Sequence, residues 1–316
     1  MVGIISSQDR EYRIKGKGKG ILMDTMGMVT DLNAKFKSES VSFGMWKNSS
    51  LPVALISNKF CKGAVSPYGA HVLSYVPEGG QDLIMVSSES AFEAPKAIRG
   101  GVPVCWPWFG PVPKPAHGIA RFQYWNVTAV KKESCGADTL VFGLSVSEPH
   151  KLDALFEVTF GAKLSMKLTT INQGDSAFDL GEALHTYFLV GEIEKTTISG
   201  LGGAVYCDRS GGGNKPGCLC AGDFGFSAET DNIYDSDRAV TIIDPVLKRK
   251  IFVEKSGSKA TVVWNPWIEK AKAMSEFRDD EYRFMVCVEA ANCAHDLIRL
   301  APGKSHTLTQ VVSLLR

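Results

Sequence analysis

No stretch of this 316-residue sequence is apolar for long enough to span a bilayer. Near the N-terminus, Ser6, Ser7, Gln8, Asp9 and Arg10 stand where a secretory apolar segment would have to begin. The sequence therefore predicts a cytoplasmic protein, neither secreted nor inserted in a membrane. An excess of charge of one sign is also lacking: 35 Lys and Arg against 34 Asp and Glu leave a formal net charge of +1, which removes the basis for nucleic acid as a bulk partner. The even, short spacing of a disulfide scaffold is missing, because Cys61, Cys105, Cys135, Cys207, Cys218, Cys220, Cys287 and Cys293 are scattered through a long chain. Reduced thiols are the expectation. Cys207, Cys218 and Cys220 lack the C-x2-C knuckle or paired fourth ligand that a structural zinc site needs, so no metal or other cofactor is expected.

Helical periodicity is the next absence. Over residues 156–170, Phe156, Val158, Phe160, Ala162, Leu164, Met166 and Leu168 alternate with Glu157, Thr159, Gly161, Lys163, Ser165, Lys167 and Thr169, which predicts one long half-buried strand with a bend at Gly161. Shorter strands are predicted over 53–56, 70–76, 140–146, 183–190, 261–264, 284–290 and 307–314, with Gly, Pro, Asn and Asp between them. Short helices are expected only at 151–155 and 269–275, too brief for βαβ units. An all-β antiparallel sandwich or barrel follows. Such folds run well beyond about 200 residues as one unit, so a single domain over residues 46–316 is expected. Residues 1–45, rich in Gly, Lys, Ser and Met and without sustained periodicity, are expected to form a poorly ordered extension. The Gly-Lys alternation from Gly16 to Gly20 has neither a preceding strand nor a Lys-Ser/Thr pair opening a helix, so it is not a phosphate loop.

Four features carry chemical potential. His185 lies in Ala183-Leu184-His185-Thr186-Tyr187, on a strand face shared with Ala183, Tyr187 and Leu189; it fits a proton carrier or a hydrogen-bonded core residue. Glu289 ends the apolar run Phe284-Met285-Val286-Cys287-Val288, where burial would raise its pKa; it fits a base or a strand-end ion pair. The Gly- and Pro-rich segment from Lys96 to Gly110, followed by Ala116-His117-Gly118-Ile119-Ala120-Arg121, offers two guanidinium forks in Arg99 and Arg121 that suit a phosphate dianion. There, Trp106, Trp108 and Phe109 are either flat faces for a sugar ring or core. Finally, Asp231 and the segment Val263-Trp264-Asn265-Pro266-Trp267 either line a polar pocket or serve as an Asx turn and sheet-edge aromatics.

These blocks follow one another in a recognisable order. Arg-Gly-Gly-Val-Pro-Val-Cys-Trp-Pro at 99–107, His-Gly-Ile-Ala-Arg at 117–121, Leu-His-Thr-Tyr-Phe at 184–188, Val-Val-Trp-Asn-Pro-Trp at 262–267 and Val-Cys-Val-Glu-Ala-Ala at 286–291 resemble the glucose-6-phosphate 1-epimerases, or hexose-6-phosphate mutarotases, of the aldose 1-epimerase-like superfamily. The resemblance covers roughly residues 50–316. It implies a galactose-mutarotase-like large antiparallel β-sandwich. It further implies His185 as general acid at the ring oxygen, Glu289 as general base at the anomeric hydroxyl, Arg99 and Arg121 as a phosphate clamp, and His117 and Asp231 as contacts to sugar hydroxyls. The implied partner is a small-molecule hexose 6-phosphate, handled by a monomer.

Three positions depart from the pattern. Ala116 stands where many members carry Gln and Asn232 where Arg is frequent, both expected near the sugar or phosphate; His306 replaces an aromatic residue, with only a surface effect expected. Rival readings are an aldose 1-epimerase for free hexoses, which would leave the arginines without a dianion, and a catalytically silent sugar-phosphate-binding protein. A glycosidase fits less well, since its usual mechanism needs paired carboxylates across the bond.

Overall fold

Alternation of apolar and polar side chains obliges a strand to bury one face, and the longest alternating run builds the centre of this fold. The computed structural model describes residues 24–315. In it Leu152–Phe160 and Leu164–Asn172 form a hairpin with Phe160 opposite Leu164. The single strand expected over 156–170 is therefore two, reversed at 161–163, where the Gly161 N–H donates to the Lys163 carbonyl at 3.1 Å. The helix expected at 151–155 is absent because Leu152 and Ala154 extend the buried alternation, and Leu152–Phe160 pairs along its whole length with Asp138–Val146. Five residues of helix propensity cannot compete with a full ladder. At 269–275 the expected helix exists, two residues earlier, as Trp267–Ala273.

Two eight-stranded antiparallel sheets face each other. One runs Thr197–Ser199, Val240–Asp244, Arg249–Ser256, Ser305–Leu315, Leu164–Asn172, Leu152–Phe160, Asp138–Val146 and Asn126–Lys132. The other runs Lys215–Leu219, Val205–Asp208, Thr230–Asp235, Ala260–Asn265, Met285–Asn292, Glu182–Leu184 and Val104–Cys105, with Tyr187–Leu189 also paired to Met285–Asn292. Between them lies a core that includes Phe142, Phe156, Leu168, Leu184, Phe188, Val286, Val288 and Leu308. Fully burying each of the large side chains contributes roughly 1.5–3 kcal/mol. The all-β sandwich is thus the observed architecture, and among the described residues no helix is long and apolar enough to cross a membrane.

The boundary expected at residue 45 is displaced. Residues 1–23 lie outside the described residues, but Thr25–Lys35 is a helix and Val41–Met45 is the edge strand of a four-stranded sheet with Pro52–Ser57, Cys61–Ser66 and His71–Pro77. The Asp24 side chain caps the helix by accepting from the Gly27 N–H at 2.8 Å. Asn33 then clasps the strand: its amide donates to the Phe43 carbonyl at 2.8 Å and accepts from the Phe43 N–H at 2.9 Å. Met28 is buried, and Val29, Leu32 and Phe36 pack against the main core. A helix of 11 residues is marginal alone; this one is held by the clasp and its apolar face.

Candidate active site

On the strand Met285–Asn292, Cys287 and Glu289 point to one face while Val286, Val288 and Ala290 point to the core. Pairing carries that face sideways: Cys287 sits opposite Trp264 on one side and Tyr187 on the other, and Trp264 sits opposite Asp231. Beside this row lies another built from small residues, with Ala183 paired to both Cys105 and Ala291, and Ala291 to Ala260. These small side chains are buried, with Phe109 and Trp264 packed against them, and the face that Cys287 and Glu289 share with Tyr187 and Trp264 forms the floor of the candidate site, the basin.

The strand expected over 183–190 is interrupted. Glu182–Leu184 and Tyr187–Leu189 both pair with Met285–Asn292, but His185 and Thr186 leave the ladder. Their backbone turns to the glycine-rich segment, with the His185 N–H donating to the Pro103 carbonyl at 3.1 Å and the Tyr187 N–H to the Gly101 carbonyl at 3.0 Å. Behind the break, the Thr186 hydroxyl donates to Gln310 of the opposite sheet, whose amide donates to the Val288 carbonyl at 2.9 Å. One buried glutamine thus ties the neighbour of His185 to the neighbour of Glu289.

The result brings His185 Nε2 to 3.4 Å from Glu289 Oε1, with Glu289 only 1% exposed. The His185 ring stacks on Tyr187 at 5.0 Å and 16°, and meets Trp264, His117 and Phe109 edge-on at 5.9, 5.8 and 6.2 Å. Burial, and secondarily Asp231, pushes the Glu289 carboxyl well above its ordinary range. Burial, followed by His117 and the charges of Arg121 and Arg99, holds His185 well below the usual imidazole range. Both shifts favour the neutral form of each group, imidazole and carboxylic acid.

His117 and the two arginines complete the wall. His117 is held down to about 4 by burial and by Arg121, Arg99 and Lys114. Its backbone is left-handed at φ 62°, and the next residue must be glycine: a Cβ on Gly118 would lie 2.1 Å from the Trp106 carbonyl oxygen. Gly100 is likewise required, since its φ is 89° and a Cβ there would lie 2.6 Å from the Met85 carbonyl oxygen. These two close approaches set Arg99 and His117 against the basin. The Arg121 Nη2 donates to the Ala116 carbonyl at 2.7 Å, a bond that no side chain at 116 alters. Asp231 is flanked by Lys270, 3.7 Å away and itself bonded to Glu229 at 2.8 Å, while burial raises the Asp231 pKa.

Five buried polar atoms here have no hydrogen-bond partner: Arg99 Nε, Arg121 Nε, His117 Nδ1, His185 Nδ1 and Glu289 Oε2. Buried polar groups are almost always paired, and a convergent set that is not marks a place prepared for something else. All six residues singled out in the sequence meet around this basin. Tyr187, Cys287 and Lys270 join them; the signal for Tyr187 and Cys287 was present, since each lies two residues from His185 or Glu289 and so shares its face.

Several expectations are corrected. Trp106 is fully buried with its indole N–H donating to Thr170 Oγ1 at 2.9 Å, and is core. Trp108 bonds the Pro113 and Pro115 carbonyls within its own loop, leaving Phe109 as the aromatic beside His117 and His185. In the 263–267 segment Trp264 lines the basin, Asn265 donates to the Tyr282 and Met285 carbonyls, and Trp267 packs on Tyr282. Asn232 lies on the face of its strand opposite Asp231, donating to the Tyr234 hydroxyl at 3.2 Å, and so does not border the basin. His306 is not a surface position: its ring is half-buried, 3.1 Å from Asn292 Oδ1 and 3.7 Å from Glu182 Oε1. The eight cysteines are free thiols.

Comparison with known proteins gives the family and the fold. The aldose 1-epimerase family profile matches residues 52–313. A protein of Escherichia coli strain K12 described as a "putative glucose-6-phosphate 1-epimerase" is 34% identical over 255 residues, 78% of this chain and 84% of its own. A protein of Cenchrus ciliaris with the same description is 33% identical over 269 residues, 80% of this chain and 81% of its own. The crystal structure of a "putative mutarotase" from Salmonella typhimurium shares the fold with a TM-score of 0.80 and 29% identity, covering 92% of this chain and 99% of that one. At 11% identity, a galactose mutarotase-like protein from Clostridium acetobutylicum still gives a TM-score of 0.66, covering 88% of this chain and all of its own.

Proposed function

The chain belongs to the aldose 1-epimerase family, and from that premise we propose that it interconverts the α and β anomers of a hexose 6-phosphate, glucose 6-phosphate first among them, without a cofactor. The observation that carries this reading is the buried His185–Glu289 pair at 3.4 Å beneath two arginines whose Nε atoms are unpaired.

Mutarotation needs one proton taken from the C1 hydroxyl and one delivered to the ring oxygen. The C1–O5 bond breaks as the C1 carbonyl forms, the open chain rotates about C1–C2, and the O5 hydroxyl adds to the other face with the two proton transfers reversed. Glu289 in its ionised form takes the C1 hydroxyl proton; protonated His185 donates to O5; on reclosure each reverses its role. Arg99 and Arg121 hold the phosphate dianion, while His117 and Asp231 contact hydroxyls.

Burial favours the neutral form of both groups, and the charge of the substrate acts on that balance. Arg99 and Arg121 both lower His185's affinity for a proton. A dianion bound between them offsets the arginines' share of that depression, which lies behind burial and His117 among its causes, and so favours the protonated His185 that the reaction needs. Free sugar lacks the dianion. This disfavours the reading as an epimerase of free hexoses and makes the phosphate a contributor to turnover as well as to binding.

The test is two-dimensional exchange NMR of anomeric protons with catalytic amounts of protein, comparing glucose 6-phosphate with glucose. Enhanced cross-peaks for the phosphate ester alone are expected. Equal enhancement for glucose would replace the reading with a general aldose epimerase; none for either would leave a silent sugar-phosphate-binding protein.

A further inference from the structure

Cys287 has no part in proton transfer, yet its thiol lies among the acid-base groups. One ligand atom each from His185, Cys287 and Glu289 falls within 4.8 Å of the others. Cys287 is fully buried, Glu289 is 1% exposed with Oε2 unpartnered, and His185 has Nδ1 unpartnered. We propose that these three residues form a site for a thiophilic divalent cation such as Zn²⁺, and that the ion occupying it reversibly inhibits the enzyme.

The ligand set is the reason. Imidazole, thiolate and carboxylate are the three protein donors zinc uses, and bond lengths of about 2.0 Å to N or O and 2.3 Å to S put tetrahedral donors about 3.3–3.5 Å apart. Closing from 4.8 Å or less to that spacing asks for side-chain rotation, since Cys287 and Glu289 sit two residues apart on one rigid strand. The chemistry balances simply. Cys287 loses its thiol proton and Glu289 its carboxyl proton to solvent as the metal–sulfur and metal–oxygen bonds form, and neutral His185 offers a ring nitrogen lone pair. Two anionic ligands neutralise the dication, which offsets the repulsion from Arg99 and Arg121. Three protein ligands leave a fourth position open to water, the pattern of an exchangeable ion and not of a closed structural one. Metal on His185 and Glu289 removes the lone pairs that move protons, so occupancy and turnover exclude each other. Ligation stands on the geometry alone; inhibition rests on the proposed epimerase reaction.

The experiment uses the full chain, reduced and metal-free, titrated with Co²⁺. A near-ultraviolet thiolate-to-cobalt charge-transfer band with strong tetrahedral visible bands is expected, displaced by one equivalent of Zn²⁺ and abolished in Cys287→Ser. Zn²⁺ should then suppress anomer exchange in the wild type, with the inhibitory concentration raised at least tenfold in Cys287→Ser relative to that variant's own rate. Circular dichroism checks the fold, and Cys287→Ala serves if the serine variant is unfolded. No charge-transfer band in the wild type, or an undiminished band in folded Cys287 variants, overturns the site. A Cys287-dependent band in a protein that never catalyses exchange upholds the site and overturns the epimerase reading instead.

Discussion

Two His–Glu pairs lie inside this sandwich, and only one has the makings of a catalyst. His185 and Glu289 approach to 3.4 Å, and His306 and Glu182 to 3.7 Å. In both, burial lowers the imidazole and raises the carboxyl. Each pair leaves one buried carboxylate oxygen unpaired, Glu182 Oε1 and Glu289 Oε2, so the difference is in what surrounds them. Glu182 accepts from Thr170 Oγ1 at 2.9 Å, His306 meets Asn292 Oδ1 at 3.1 Å, and no arginine contributes to either group's shift. Around Glu289 and His185 the unpaired atoms converge on a basin, with two guanidinium groups bearing on the imidazole. A buried acid-base pair with an unpaired oxygen is thus a component; the arginine field and the further unpaired groups gathered around it separate the two.

The contrast breaks most sharply at the proposed catalytic pair. Glu289→Gln and His185→Asn should each lower anomer exchange of glucose 6-phosphate by about 100- to 10,000-fold, read by exchange NMR with circular dichroism showing a retained fold. Near-normal exchange in either would remove the assigned proton carriers. Arg121→Ala should lower kcat/KM for the phosphate ester by about 10- to 100-fold, as expected for one charge-assisted hydrogen-bonding partner. Exchange of free glucose should change far less; an equal loss for both sugars would deny the clamp.

At the second pair the expectation is reversed. Glu182→Gln should leave exchange within about twofold but raise stability at alkaline pH. Burial raises the Glu182 pKa from 4.5 to about 8. As pH climbs, the unfolded chain therefore loses this proton first, and the native state loses stability between those values, by on the order of 5 kcal/mol. Glutamine never ionises, so thermal denaturation should show the variant gaining over wild type at pH 8 and little at pH 5. A pH-independent difference would mean that Glu182 titrates normally.

Much of the second picture was invisible in the sequence, and the reason is register. His185 and Glu289 were legible because each is a polar residue inside an apolar run with a period of two. Glu182 lies just beyond the run read as a strand, and nothing in its neighbours announces that the Glu182–Asn292 register buries it. The hairpin at 161–163 was read as a bend because Ala162 kept the alternation across the turn. Trp106 and Trp108 were indistinguishable from Phe109 by composition; the tight passage of Gly118 over Trp106 separates them. The break at His185 and Thr186 depends on Gln310, some 124 residues away, which no local pattern reveals.

The N-terminal helix and its asparagine clasp have a consequence for how the molecule behaves in company. Val41–Met45 occupies the outer side of Pro52–Ser57, a strand in which Val53, Ala54 and Ile56 are buried. A chain shortened to begin at residue 46 would bare that backbone ladder and the apolar ground beneath the helix, the combination that templates growth by addition of foreign strands. In the intact chain the segment from Asp24 to Met45 covers that ladder, and the far strand of the same sheet holds the glycine segment beside Arg99 through His71, which bonds the Gly100 carbonyl at 2.8 Å.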